Sequence, residues 1–277
     1  MSKLPPSDTP LSGPPSLARW QELLGQVRDL GAAHAADQHE RVSLGAAVGR
    51  VLAEPVAALP AGTLLHWRQL PLLVAAGRRT LAVRPRLRAG VVALAGAAEG
   101  AAAPLIAGVF EQMGGRALAA GMDEPIHRLG LALEMFAPRC ELVFVIGEPG
   151  ALPVRQRIGA LPVSRLANGT LVLFLDPAPR LALSTYVTHA VPLIRRLQGR
   201  GDALPGTRLI ATTDESTPTG MSLVRERIES GERIVLAACG MTPACLADAS
   251  GIAWQPPDLA DVAAGSRIYL PFAQWLS

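Results

Sequence analysis

Apolar residues along this chain recur with two different periods, and the change between them divides it. Leu17, Trp20, Leu24 and Val27 are spaced for one face of a helix over Leu17–Leu30, opened by Ser16 and closed at Gly31. Leu44, Val48, Val51 and Leu52 predict a second helix over Leu44–Ala53, with Ser43 as its cap and Pro55 as its stop. From residue 89 onward, short apolar runs alternate with amphipathic segments. Val91–Leu94, Ala117–Ala120, Leu142–Ile146 (LVFVI) and Leu171–Leu175 (LVLFL) read as strands. Leu105–Met113, Ile126–Phe136 and Leu181–Leu197 read as helices between and after them. Such alternation predicts an α/β fold with a doubly wound, mostly parallel sheet and right-handed crossovers.

After Gly199–Gly201 the pattern changes again. Arg208–Thr213 alternates, Leu223–Ile228 and Arg233–Ala237 flank a hairpin signal at Glu229–Glu232, and Ile268–Leu270 is a last strand. Four parts are therefore expected: a disordered tail over 1–15, an N-terminal helical segment over 16–80, an α/β domain over 81–200, and a small C-terminal β domain over 201–277. The tail holds five prolines and little to bury.

Composition narrows the function classes. A net charge of +3 comes almost wholly from arginine, in short groups such as Arg84/Arg86/Arg88 and Arg195/Arg196/Arg200. These are expected to be a solvated face. With 4% aromatic residues and no continuous basic stripe, nucleic acid is not an expected partner. The three cysteines form no CxxC pair, and His34 and His39 do not share a helical face, so no metal site is expected. Ala89–Phe110 carries only Glu99 as a charge, but Gly96, Gly100 and Pro104 break it into strand, loop and helix. No membrane span is expected, and the cytoplasm is the expected compartment.

In an open parallel sheet the ligand lies beyond the carboxyl ends of the strands. Three loops end strands here: Ala95–Gly100, Gly147–Gly150 and Asp176–Pro179. Gly96, Gly147 and Gly150 allow a backbone to approach an anion; Glu99, Glu148 and Asp176 are the acidic residues of this rim. The carboxylates suit a magnesium ion or acid–base work, and equally suit helix N-termini. The third loop has two prolines, without N–H groups, and should bind anions weakly. There is no P-loop, nucleophile elbow or dinucleotide fingerprint. Ser184, Thr185, Thr188 and His189 share a helix face and do not make a nucleophile site.

Several segments then resemble one family. Val191-Pro192-Leu193-Ile194-Arg195-Arg196-Leu197 followed by Gly199 is similar to the end of the cofactor domain in the molybdopterin molybdenumtransferase family, MoeA and the gephyrin relatives. LGAAVGRVLAEPV at Leu44–Val56 looks like that family's N-terminal run, and Leu246–Ile252 with Ala264–Ile268 resembles its closing β domain. The resemblance implies a fold of that type, molybdopterin as ligand, magnesium if the chain is active, and a homodimer or a heteromer with a relative. An anionic ligand is expected at the rim of Gly96, Gly147, Glu148 and Gly150, with arginines such as Arg155 or Arg157 near its phosphate, since arginine gives bidentate contacts.

The departures fall on the loops. The family's Ser-Thr-Gly-Asp-Glu loop corresponds to Leu94–Ala98, leaving Glu99 as the nearest acid. Its Ser-Gly-Gly loop corresponds to Ile146–Glu148, and its Pro-Gly-Asn-Pro loop to Asp176–Pro179. No Met-Asp-Gly-Tyr-Ala motif follows residue 56, and 57–88 is short for the family's inserted domain. The expected function is a non-catalytic or weakly binding relative that helps handle molybdenum cofactor. An active transferase with a rebuilt site, or an interaction protein pairing with a catalytic relative, are the alternatives.

Overall fold

The computed structural model describes residues 22, 24–27, 38–94, 101–120, 129–147, 163–200, 208–211, 221–229, 232–237, 248–254 and 266–272. Its centre is a five-stranded sheet. The strands are β3 (Arg88–Ala93), β4 (Arg116–Ala120), β5 (Leu142–Ile146), β6 (Val163–Arg165) and β7 (Leu171–Leu175), in the order β4-β3-β5-β7-β6. The first four in that order are parallel, and β6 closes the edge antiparallel to β7. The sheet is thus mixed, with one reversed edge strand that the sequence did not announce.

Both faces of this sheet are covered, and the two-residue period of each strand sorts its side chains between them. Leu142, Phe144 and Ile146 enter the larger core, with Ala89, Val91, Leu171 and Leu173. Val143 and Val145 face the smaller one, with Val92 and Val172. Helix α3 (Ala102–Gln112) supplies Ile106 and Phe110 to the larger core, and α4 (Leu129–Phe136) supplies Ala132 and Phe136 to the smaller. Phe144 sits between Phe110 and Tyr186, with ring centroids at 5.7 and 5.6 Å. Ala89–Phe110, the apolar stretch of the sequence, thus divides between β3 and α3. No helix among the described residues is long and apolar enough to cross a membrane.

The long helix expected at Leu181–Leu197 begins at Pro179 and contains a wide turn. It runs as α5 (Pro179–Thr185), a π-turn over Tyr186–Ala190, and α6 (Val191–Leu197). Pro192 gives the physical reason. An α-helix would need its N–H and would drive its ring into the carbonyl four residues back, whereas here the Val191 N–H reaches Tyr186 O.

The N-terminal part departs most from expectation. Of the first stripe, Leu24 and Val27 lie on the larger α/β core, while Leu17 and Trp20 lie outside the described residues. The second helix stops after α1 (Leu44–Ala47). Ser43 stands at its cap position without a side-chain bond, Val48 turns extended, and Gly49 takes φ +71. Val51 and Leu52 instead pair with Leu64 and Val83. Two strands that the sequence hid, β1 (Glu40–Ser43) and β2 (Thr80–Val83), pair antiparallel, so the segment is not all helical. Its own core holds Ala47, Leu52, Val56, Leu65, Leu73, Leu81 and Val83.

This unit docks on the α/β part through close backbone contacts. A Cβ on Gly114, at φ +85, would stand 2.9 Å from the Gly49 carbonyl oxygen. Gly199, at φ +69, lies under the guanidinium of Arg84 at the end of α6. Arg195 and Arg200 are buried there too, which corrects the expected solvated face for that group, while Arg86 and Arg88 are exposed. Burial and the neighbouring Arg195 lower Arg200 to about 9. A helix C-terminus, where backbone carbonyls concentrate, is where a cation is favoured.

The C-terminal sheet is antiparallel, in the order β10-β9-β11-β12-β8. Its strands are β8 (Arg208–Ala211), β9 (Met221–Glu229), β10 (Glu232–Ala237), β11 (Gly251–Trp254) and β12 (Ser266–Pro271). Glu229 pairs with Glu232 across the expected hairpin. Leu223, Ile252, Trp254 and Leu270 join the larger core.

Candidate functional site

Strand register sets the rim. Ala93 pairs with Ile146 and Ile146 with Leu175, so β3, β5 and β7 release their loops at one level. Leu94 N–H donates to Ile146 O at 2.9 Å, and Gly147 N–H to Leu175 O at 3.0 Å. Gly147 therefore leaves the sheet beside Asp176, and does so at φ +130, a conformation a side chain would resist. Among the candidate residues, Gly147 and Asp176 are described. Gly96, Glu99, Glu148, Gly150, Arg155 and Arg157 lie outside the described residues.

The third loop has a definite chemistry. Pro177 and Pro179 have no N–H, and the N–H of Ala178 between them donates to Asp176 Oδ1 at 2.7 Å. The Asp176-Pro177-Ala178-Pro179 turn thus has no backbone donor after Asp176 left to aim at an anion. One oxygen of Asp176 is engaged in leading the chain into α5. Asp176 stands as a turn-forming carboxylate, with partial exposure.

A magnesium ion prefers several oxygen ligands in octahedral array. Asp176 is the one carboxylate of the described rim, and no group of three His, Cys, Asp or Glu that could hold a metal occurs among the described residues. The described rim therefore does not by itself fit magnesium.

Other reactive side chains serve packing. Burial pushes the Cys140 thiol up, with Glu141 adding to the effect, so the thiolate is disfavoured. Tyr186 is fully buried and its hydroxyl held well above the ordinary phenol value; the O–H meets Met113 Sδ at 3.5 Å. Thr188 Oγ1 lies 2.8 Å from the Ser184 carbonyl and 2.7 Å from His189 Nδ1, an arrangement within the helix. At the opposite end of the sheet, Glu141 accepts both the backbone N–H of Arg88 at 2.7 Å and its guanidinium at 2.8 Å.

Sequence reasoning missed one exposed feature. A 3-10 turn at Trp67–Gln69 runs into α2 (Leu70–Ala75), and Trp67, Leu72 and Val74 face solvent. The signal available was a run from 55 to 98 without a single acidic residue.

Comparison with known proteins follows the fold. No protein-family model matches the sequence, and no curated protein does. Solved structures do match. A molybdenum cofactor biosynthesis protein from Pyrococcus furiosus aligns with TM-score 0.63 at 19% identity, covering 91% of this chain and 98% of that one. The molybdopterin biosynthesis moeA protein from Pyrococcus horikoshii aligns with TM-score 0.65 at 14% identity, covering 91% and 99%. A further moeA structure from the same organism aligns with TM-score 0.50 at 13% identity, covering 76% of this chain and 61% of that one. The fold is that of these proteins.

Proposed function

We propose that this chain, folded as the molybdenum-cofactor biosynthesis proteins it aligns with, binds a molybdopterin-type ligand and serves in cofactor handling without inserting the metal. The observation that carries this reading is the third rim loop. Its prolines supply no N–H and its intervening N–H is committed to Asp176. A transfer site must place donors and metal charge on a phosphate. A binder needs shape and a few contacts. Gly96, Gly147, Glu148 and Gly150, with Arg155 or Arg157 on a phosphate, are the residues that would hold the ligand. Magnesium would enter only in an active form, and the chain would act as a homodimer or beside a catalytic relative.

Two measurements on the purified protein test this together. Mass spectrometry of what it retains should find a pterin, and a reconstituted assay with magnesium should find no molybdate insertion into adenylated molybdopterin. Gly147→Val should weaken pterin binding, because valine resists φ near +130. Turnover in the assay would favour an active transferase with a rebuilt site. A transferase-like partner co-purifying without pterin would favour the interaction reading.

A further inference from the structure

The segment from His66 to Arg79 is a small helical knob built to be rigid and left exposed. The His66 backbone N–H donates to Gln69 Oε1 at 2.7 Å, and Pro71 starts α2 with its φ already set. At the other end Gly77 N–H reaches Val74 O at 2.9 Å and Arg78 N–H reaches Leu73 O at 3.1 Å, a closed C-terminal cap. One side chain, Leu73, anchors the knob in the N-terminal core. Trp67, Leu72 and Val74 remain 68, 43 and 61% exposed. Arg68 lies 5.5 Å from the centre of the Trp67 ring. Arg68, Arg78 and Arg79 are exposed and form no ion pair among the described residues.

We propose that this knob is a docking surface for a partner protein that presents an apolar pocket rimmed by carboxylates. Trp and Arg are the side chains that dominate protein interfaces, where an aromatic anchor enters a dry pocket and charge sets the partner. The charge is one-sided here, because the knob, residues 66–79, holds Arg68, Arg78 and Arg79 and no acid. That sign disfavours a second copy of this chain on a two-fold axis, which would set arginine against arginine. It fits an acidic rim. The form of the knob favours a protein over a lipid surface. Helices that lie in a bilayer interface bury a continuous apolar face, whereas here Leu73, between the exposed Leu72 and Val74, turns into the N-terminal core. The knob has six α-helical residues, and its C-terminal turn is closed before any partner arrives.

The test places a photo-crosslinking residue at position 74, exposed on the same knob with Trp67 left in place, in the full chain in its native cell, with Met135, exposed on α4, as the control position. A protein trapped at 74 and not at Met135 is then purified and its affinity measured. Trp67→Ala and the double change Arg78→Glu/Arg79→Glu should each weaken binding by about tenfold or more. Both variants should fold as the parent does, since these side chains face water. Affinity should fall with salt, and carboxylate-to-arginine changes on the partner should recover the doubly reversed variant. The proposal is overturned if position 74 traps nothing beyond the control, if the trapped protein is a second copy of this chain, or if the partner binds Trp67→Ala as well as the parent. It is also overturned if the chain sediments with phosphatidylglycerol vesicles and Trp67→Ala abolishes that binding.

Discussion

Phe136 lies against the bare backbone of Gly90, so closely that a Cβ at Gly90 would stand 2.7 Å from its Cγ. Gly90 is on β3 and Phe136 ends α4, so this contact sets how near that helix comes to the sheet. Gly90→Val should overpack the smaller core and cost about 1–3 kcal/mol, seen as a lower midpoint in denaturant. Adding Phe136→Leu should return part of that loss. Equal midpoints for Gly90→Val and the parent would show that α4 can shift freely.

Cys140 provides a pH test. Its burial raises the thiol pKa, so the folded chain holds this proton when the unfolded chain has released it. The sign follows: this contribution to stability is present below the unfolded value, about 8.5, and is lost as pH rises above it. Relative to Cys140→Ala, the parent should lose stability more steeply across alkaline pH. Peptide mapping after brief alkylation at pH 8 should find Cys140 protected in the folded protein. Rapid labelling of Cys140 without unfolding would contradict this.

Thr188 fixes a ring. Its hydroxyl donates to the Ser184 carbonyl, leaving a lone pair toward His189 Nδ1 at 2.7 Å, so that nitrogen carries the hydrogen in the neutral ring. Nitrogen NMR on labelled histidine should report the Nδ1–H tautomer. Thr188→Val should release that preference and cost about 1–2 kcal/mol from the lost bonds. An Nε2–H tautomer in the parent protein would reverse the assignment.

What the sequence made legible follows from burial. LVFVI and LVLFL are buried on both sides, so they appear as unbroken apolar runs, and their bounds match β5 and β7. β1, β2 and β6 are three or four residues long and carry charged or polar positions, too short for a period to emerge. Val48 and Val51 sit at helical spacing by coincidence; Gly49 between them breaks the helix. The buried arginines at Arg195 and Arg200 were not legible, since the end of α6 is met by Arg84 at Gly199 and by Gly62 near Arg200, both from distant parts of the chain. At the rim, the ends of LVFVI and LVLFL mark where Gly147 and Asp176 leave the sheet, while the hydrogen bond that occupies Asp176 depends on a turn conformation that composition does not specify.

The alternation in β5 sets what kinds of change this protein can accept. Phe144 stands in one core while Val143 and Val145 stand in the other. Losing or gaining one residue between Leu142 and Ile146 would exchange their contents: the ring would press into the thin layer beneath α4, and valines would be left beside Phe110 and Tyr186. Every contact of the strand would be wrong at once, which no single substitution can do. Length variation is therefore confined to the connections beyond the strands, and those at the carboxyl ends are the ones that would touch a ligand. A scaffold of this kind can exchange its chemistry by rewriting three short loops while its strands stay fixed in length.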